Sequence, residues 1–298
     1  MGSGGSQTMK TAVVTGGNQG LGFESCRQLA RLGFRIIVAS RNLKRGQQAV
    51  AQIKSHCPAA QIQTLTLDLA NYDSIDRFSD RLQRTVDRVD LLLNNAGVVN
   101  LEYLARNHQG IELQMATNHL GHFALTASLL PLLLQSNQPR VVTLTSGGYK
   151  WGDIRFDDLG WQQRPYHRVK SYGDSKLANL LFSYQLQQVF DQHQINGISL
   201  AAHPGLTGTE RQQSVGVGGW LSRFLASPVS QGVQSQMHAA TATAVTGGTL
   251  WGPQFGLRGK PKSTPITALI TNPQIAEQLW QISEQLTGSA WHLPTPSP

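Results

Sequence analysis

Tyr172 and Lys176 stand four apart in the stretch SYGDSKLAN (171–179), ahead of an apolar, helix-period run through Leu180, Leu181, Tyr184 and Leu186. On a helix, residues i and i+4 share a face about one turn apart. Phenol and ammonium therefore point at the same spot. A fixed cation favours the phenolate, so this tyrosine is expected to release its proton more readily than a free one. Such a pair is a candidate proton donor and acceptor at neutral pH. The same spacing also occurs on ordinary amphipathic surfaces, so its meaning depends on the residues around it.

The first of these is the turn TGGNQGLG (15–22), in which Thr15 closes a strand-like run. Gly16, Gly20 and Gly22 form a G-x-x-x-G-x-G pattern with Asn18, Gln19 and Leu21 between them. Glycines permit a tight turn and let a pyrophosphate approach the backbone, while the following helix offers free N–H groups and its positive dipole end. With a strand before it and a helix after it, the turn predicts a dinucleotide site. The second strand-like run ends in Ser40-Arg41-Asn42, with Lys44 close behind. An acidic residue there would grip the ribose 2′-OH of NAD, whereas Arg suits a 2′-phosphate. NADP(H) is the expected cofactor, with Arg41 its main phosphate contact. The third run ends in Asp68-Leu69 and the fourth in Asn94-Asn95-Ala96-Gly97. Ligands of open α/β sheets bind at these carboxyl ends. Asp68 is placed to accept from the adenine amino group, Asn95 to tie neighbouring strands, and Gly97 to admit the cofactor. Asn94 is expected to be purely structural.

Strand and helix patterns alternate to carry these groups. Strand-like runs cover 11–15, 34–39, 61–67, 90–93, 140–145 and 197–202, with a seventh near 249–251. Helical periods cover 21–32, 43–55, 72–89, 110–135 and 172–190. Nearly all-apolar strands separated by amphipathic helices imply a parallel sheet covered on both faces. The prediction is an α/β, doubly wound, mostly parallel Rossmann sheet in a single domain, with a helical substrate lid. The domain is expected over 10–290, its cofactor half at 10–145 and its catalytic helix and lid at 146–290. Residues 1–9 read as a flexible leader and 291–298 as a disordered tail. After Pro204 the pattern loosens into a Gly-, Thr- and Ser-rich stretch with short helices at about 220–226 and 230–244, then a polar loop and a last helix at 273–286. Trp220, Leu221, Phe224 and Leu225 cluster in that stretch, as core packing or as the lining of a lipophilic pocket.

At 298 residues, with 40% hydrophobic content, 30 Gly and 13 Pro, the chain is long enough for a sizeable core. The net charge of +8 comes from scattered Arg and Lys residues. A nucleic-acid footprint would be a patch or stripe, so no nucleic-acid partner is expected. No apolar run approaches the ~20 residues of a membrane span. Two cysteines, Cys26 and Cys57, with no metal-ligand partners at useful spacing, fit a reducing, cytoplasmic setting.

Taken together, TGGNQGLG, Asp68-Leu69, NNAG (94–97), Asn118 in NHLGHF, Ser146 in TLTSGG, Tyr172/Lys176 and HPG (203–205) resemble the short-chain dehydrogenase/reductase family, from Lys10 to about Trp251. NHLGHFALT, IRFDDL (154–159) and YGDSKLAN are similar to its retinol dehydrogenase and WW-domain oxidoreductase branch, a neighbour of the light-dependent protochlorophyllide reductases. The resemblance implies that Tyr172 is the general acid/base and that Lys176 lowers its pKa and holds the nicotinamide ribose. Ser146 would polarise the substrate oxygen and Asn118 would organise a relay water. Thr209 would steady the carboxamide, and Ala96, Pro204, Gly205 and Leu206 would join the cofactor contacts. The implied substrate is a lipophilic carbonyl or alcohol, with peripheral membrane contact through the apolar lid conceivable.

Other groups have plainer readings. His119 and His122 are expected to pack and hydrogen-bond locally, with no third ligand and so no metal site. His203 reads as a strand-end structural group. Tyr172 lies 26 positions (172 minus 146) after Ser146, long for this family. The extra residues, including Trp151, Phe156, Trp161 and Tyr166, predict a flap beside the catalytic helix. A flap there covers a dimerising face, so a monomer or weak dimer is expected, and a tight tetramer in sedimentation would contradict that. Protochlorophyllide reduction is disfavoured by Ala178 and Leu206, where those enzymes resemble one another in carrying cysteine. A non-catalytic NADP(H)-binding sensor is disfavoured by the intact Asn118, Ser146, Tyr172 and Lys176 set.

Overall fold

β1 (Thr11–Thr15) is buried along its whole length, and its side chains alternate between two cores. Val13 faces one hydrophobic cluster and Ala12 and Val14 the other, as the period of two in a strand requires. The computed structural model describes residues 9–205, 232–256, 259–270 and 272–295. Among them an eight-stranded sheet has the order β3-β2-β1-β4-β5-β6-β7-β8. The further strands are β2 (Arg35–Ser40), β3 (Ile62–Thr66), β4 (Leu91–Asn94), β5 (Arg140–Leu144), β6 (Ile198–Ala202), β7 (Thr249–Pro253) and β8 (Pro261–Pro265). Neighbours from β3 through β7 are parallel, and β8 runs antiparallel to β7.

One face of the sheet carries α3 (Tyr72–Gln83), α4, α5 (Arg168–Gln192) and α7 (Gln274–Thr287); Phe78, Phe123, Phe182 and Trp280 from these four helices share a core. The opposite face carries α1 (Gly20–Arg31), α2 (Leu43–His56) and α6 (Gln234–Thr241), through Leu29, Ile53 and Met237. We use α4 for a continuous rod of three parts: a first turn (Leu113–Met115), a π-helical turn (Ala116–Leu120) and an α-helix (Gly121–Leu133). Gly121 has to be glycine, because a β-carbon there would run into the Leu69 carbonyl. The sheet thus brings the turn after β1 and the end of β4 side by side, where the strand order reverses and open α/β sheets bind ligands.

Three boundaries depart from expectation. The apolar period that predicted α3 to reach Val89 persists because Val86 and Val89 are buried, yet the helix closes at Gln83. The expected polar loop after β7 contains β8. Its PKSTP has no apolar alternation, since it is an edge strand with prolines at both ends and Lys262 exposed, all of which discourage further pairing. The expected tail is held down as far as it is described. The Trp291 ring lies 4.3 Å from that of Trp280 and 5.3 Å from that of Phe123, and His193 Nδ1 is 2.8 Å from the Pro294 carbonyl. A large aromatic surface outweighs the prolines around it. The lid residues Trp220, Leu221, Phe224 and Leu225 lie outside the described residues. Among those described, no helix is long and apolar enough to cross a membrane.

Candidate active site

α5 begins four residues before Tyr172, with the His167 side chain accepting from the Lys170 N–H as its cap. Tyr172 therefore sits in the second turn, half-buried, and Lys176 one turn on is only 5% exposed. The Lys176 ammonium lies 5.7 Å from the Tyr172 ring centre and donates to the Leu144 carbonyl at 3.0 Å. That carbonyl, at the end of β5, also accepts from Asn179, and the Thr145 hydroxyl donates to the Lys176 carbonyl at 2.7 Å. Helix and strand are thereby locked in register. Ser146 follows, its hydroxyl accepting from the Gly148 N–H. A β-carbon on Gly148 would stand 3.3 Å from the Tyr172 ring and 3.7 Å from the Ser146 hydroxyl, so the two side chains flank this glycine.

Asn118 lies fully buried inside the π-helical turn, a deformation that recurs at functional sites. Its Oδ1 accepts from the Val98 N–H at 2.7 Å, and its Nδ2 donates to the Val98 carbonyl and to the Ser175 hydroxyl, both at 2.9 Å. Ser175 in turn donates to the Tyr172 carbonyl at 2.8 Å. The amide thus clamps the segment after β4 onto α5. A β-carbon on Gly97 would lie 3.0 Å from Asn118 Oδ1 and 3.6 Å from the Lys176 ammonium. Asn118, Ser146, Tyr172 and Lys176 converge on one place.

The cleft beside them lies over the ends of β1 to β4. Gly16, Asn18, Gln19, Arg41, Asp68 and Leu69 line it, with Ala96 and Gly97 closing the far side. Gly16 and Gly20 have φ of +64° and +55°, where glycine carries no steric penalty. A side chain on Gly22 would collide with the Gly16 carbonyl and the Asn95 amide. α1, opened by Gly20, Leu21 and Gly22, has no side-chain cap and no acidic residue in its first turn. Its leading N–H groups are therefore suited to an anionic ligand, and the cradle fits a pyrophosphate. Asn95 Nδ2 donates to the Thr15 carbonyl at 2.8 Å, tying β4 to β1. Asn94, fully buried, reaches Thr126 and Thr143 instead. Pro204 and Gly205 follow β6, Gly205 with φ +72°. Leu206 and Thr209 lie outside the described residues.

Sequence reasoning missed several cleft residues, among them Val98, Thr117 and Arg45, and the last bears on the cofactor. Arg45, not Lys44, joins Arg41 in the lining, because the Asn42 side chain accepts from the Arg45 N–H and starts α2 there. The cap motif, Asn three before Arg, was the available signal. The flap between Ser146 and Tyr172 packs beside α5 as expected: Trp161 is 2% exposed, and Tyr166 donates its hydroxyl to the Leu101 carbonyl.

Burial pushes three histidines down. His119 falls to about 3 through burial and the neighbouring His122, His122 to about 4 through burial and the Lys176 charge, and His203 to about 4 through burial and Lys150. Groups held neutral in the fold but ordinary when unfolded bind protons in the unfolded state first. Stability is therefore expected to fall as pH drops from 6.5 toward 4, by roughly 1.4 kcal/mol per histidine per pH unit at most. Thermal unfolding at pH 7.5 and pH 5.5 measures this, and equal midpoints would contradict it. Among the described residues no group of three or more His, Cys, Asp or Glu could hold a metal.

Sheet order, glycine turn and the Asn118–Ser146–Tyr172–Lys176 cluster define a nucleotide-binding oxidoreductase fold. The family model described as short chain dehydrogenase matches residues 10–217, and the chain belongs to that family. Retinol dehydrogenase 12 from Mus musculus is 37% identical over 95% of the chain and 87% of its own length. Retinol dehydrogenase 13 from Homo sapiens is 34% identical over 94% and 85%. The crystal structure of an uncharacterised protein from Mycobacterium Paratuberculosis superposes with a TM-score of 0.79 at 34% identity, covering 95% of both chains.

Proposed function

We propose that the protein is an NADPH-dependent reductase of lipophilic aldehydes or ketones, able to run in reverse on the alcohols. The observation that carries this reading is the meeting of Tyr172, Ser146 and Lys176 beside a cleft that bears two arginines. When bound, the nicotinamide supplies or takes the hydride. The chain's own groups do the rest. Ser146 donates a hydrogen bond to the substrate oxygen, and Tyr172 gives that oxygen a proton as charge builds on it. Lys176, fixed by Leu144, keeps a positive charge beside the phenol, which favours loss of its proton. Arg41 and Arg45 hold the 2′-phosphate, and Asp68 takes the adenine amino group. The relatives named retinol dehydrogenases support a long apolar substrate of the retinal type.

Turnover of NADPH with a carbonyl panel running from small aldehydes to retinal tests the reading; no reduction of any member would overturn it. Arg41→Ala is expected to weaken NADPH by roughly tenfold to a hundredfold, the size of one lost charged hydrogen bond, and to leave NADH almost unchanged. Arg45→Ala should act in the same direction with a smaller effect. Equal losses for the two cofactors, read by fluorescence titration, would contradict the phosphate assignment.

A further inference from the structure

His122 is fully buried between the cofactor cradle and the catalytic cluster, and both of its ring nitrogens are engaged. Nδ1 lies 2.8 Å from the Asn118 carbonyl, and Nε2 lies 2.9 Å from the Thr15 hydroxyl. The carbonyl can only accept, so Nδ1 carries the hydrogen and Nε2 of the neutral ring is an acceptor. The Thr15 hydroxyl already accepts from the N–H groups of Asn95 and Ala96, each at 2.9 Å. Its one hydrogen has two targets, the Leu93 carbonyl at 3.3 Å and His122 Nε2 at 2.9 Å. The shorter path goes to the histidine. A π-helical turn moves the main-chain donor one residue further on, so the Asn118 carbonyl has room for this side-chain donor from four residues along.

We infer that His122 is a positioning residue that couples the cofactor cradle to the catalytic helix through two runs of hydrogen bonds joined by the covalent frame of Asn118. The first run begins at the Ala96 N–H and passes through Thr15 and the Nδ1–H tautomer of His122 to the Asn118 carbonyl, and the second goes from the Asn118 side-chain amide through Ser175 to the Tyr172 carbonyl. Thr15 sits at the start of the glycine turn and Asn118 holds the segment after β4 next to Lys176. A shift at either end is therefore felt at the other, because Thr15, His122, Asn118 and Ser175 are all fully buried in close packing. Burial with both nitrogens satisfied favours the neutral ring, in keeping with its lowered pKa. The inference rests on the proposed reaction only for its effect on turnover.

Three variants separate the two ends. His122→Asn keeps an N–H aimed where Nδ1 is, His122→Gln keeps an oxygen aimed where Nε2 is, and His122→Leu keeps neither. With NADPH and retinal as probes, His122→Leu is expected to lose roughly tenfold in NADPH affinity and in kcat, about one hydrogen bond each. His122→Asn should recover kcat and leave cofactor affinity low, while His122→Gln should do the reverse. A purely structural histidine would lower the unfolding midpoint in all three without this split. The same loss in all three, or wild-type constants in all three, would overturn the inference. Should the variants fail to fold, nitrogen-15 spectra of the wild-type histidines decide it. The Nδ1–H neutral tautomer is required, and an Nε2–H or charged ring at neutral pH would overturn it. Absence of turnover with retinal would count against the proposed function alone, since NADPH affinity and the tautomer are read without turnover.

Discussion

Tyr172→Phe is expected to lower kcat by about a thousandfold, the middle of the range for a positioned acid/base. The substitution removes one oxygen and keeps the ring that lies against Gly148, so packing survives. NADPH affinity should fall far less than kcat, since the glycine turn, Arg41 and Arg45 are untouched. Ser146→Ala removes a hydrogen-bond donor from the site where charge develops on the substrate oxygen, and should cost about a hundredfold, the lower end for such groups. Because the two side chains are proposed to act on one oxygen, their losses should not add, and the double variant should resemble Tyr172→Phe more than the product of the two. Single-turnover rates at saturating NADPH measure this. A Tyr172→Phe enzyme within a factor of about ten of wild type would remove the general acid role, because positioned proton transfer contributes more than that.

The sheet was readable because its central strands are mostly apolar and buried between turn residues. Leu91 to Leu93, buried on both faces, cannot be anything exposed. The glycine turn and the Tyr172/Lys176 spacing were readable because each imposes a local backbone rule. What escaped depends on partners distant in sequence. β8 exists only because β7 offers it an edge, and Trp291 is ordered only because Trp280 and Phe123 leave it a place. His122 looked like one more packed ring. Its meaning comes from Thr15, 107 positions away, whose hydroxyl gathers the ends of β1 and β4. Residue type carries little of that; the crossing of strands carries the rest.

Asp174→Ala is expected to cost about 3 kcal/mol, the low end for breaking a buried ion pair, and to lower the unfolding midpoint by roughly 5 °C. Asp174 stands on α5 between Tyr172 and Lys176 and ties down the flap at three residues. Its Oδ1 accepts from the Asp153 N–H at 2.8 Å, and its Oδ2 accepts from the Trp161 indole at 3.1 Å and from Arg164 at 2.7 Å. The carboxylate side chain is 2% exposed and the guanidinium 16%, with the latter 3.7 Å over the Trp161 ring. Burial raises the carboxyl pKa despite these donors, so the pair stands or falls as a unit. Removing the acid leaves Arg164 with Asp158 alone, at 3.4 Å, and leaves the indole N–H unmatched. The low end of the range applies because of that second partner. Replacing both members, Asp174→Leu with Arg164→Met, should recover part of the loss, since the uncompensated charge goes with the pair. The flap should also loosen, so proteolysis within 153–165 should quicken, and kcat/KM should fall more for retinal than for a short aldehyde that needs no wall. An unchanged midpoint in Asp174→Ala, or equal losses for long and short substrates, would show that the flap neither depends on this carboxylate nor shapes the pocket.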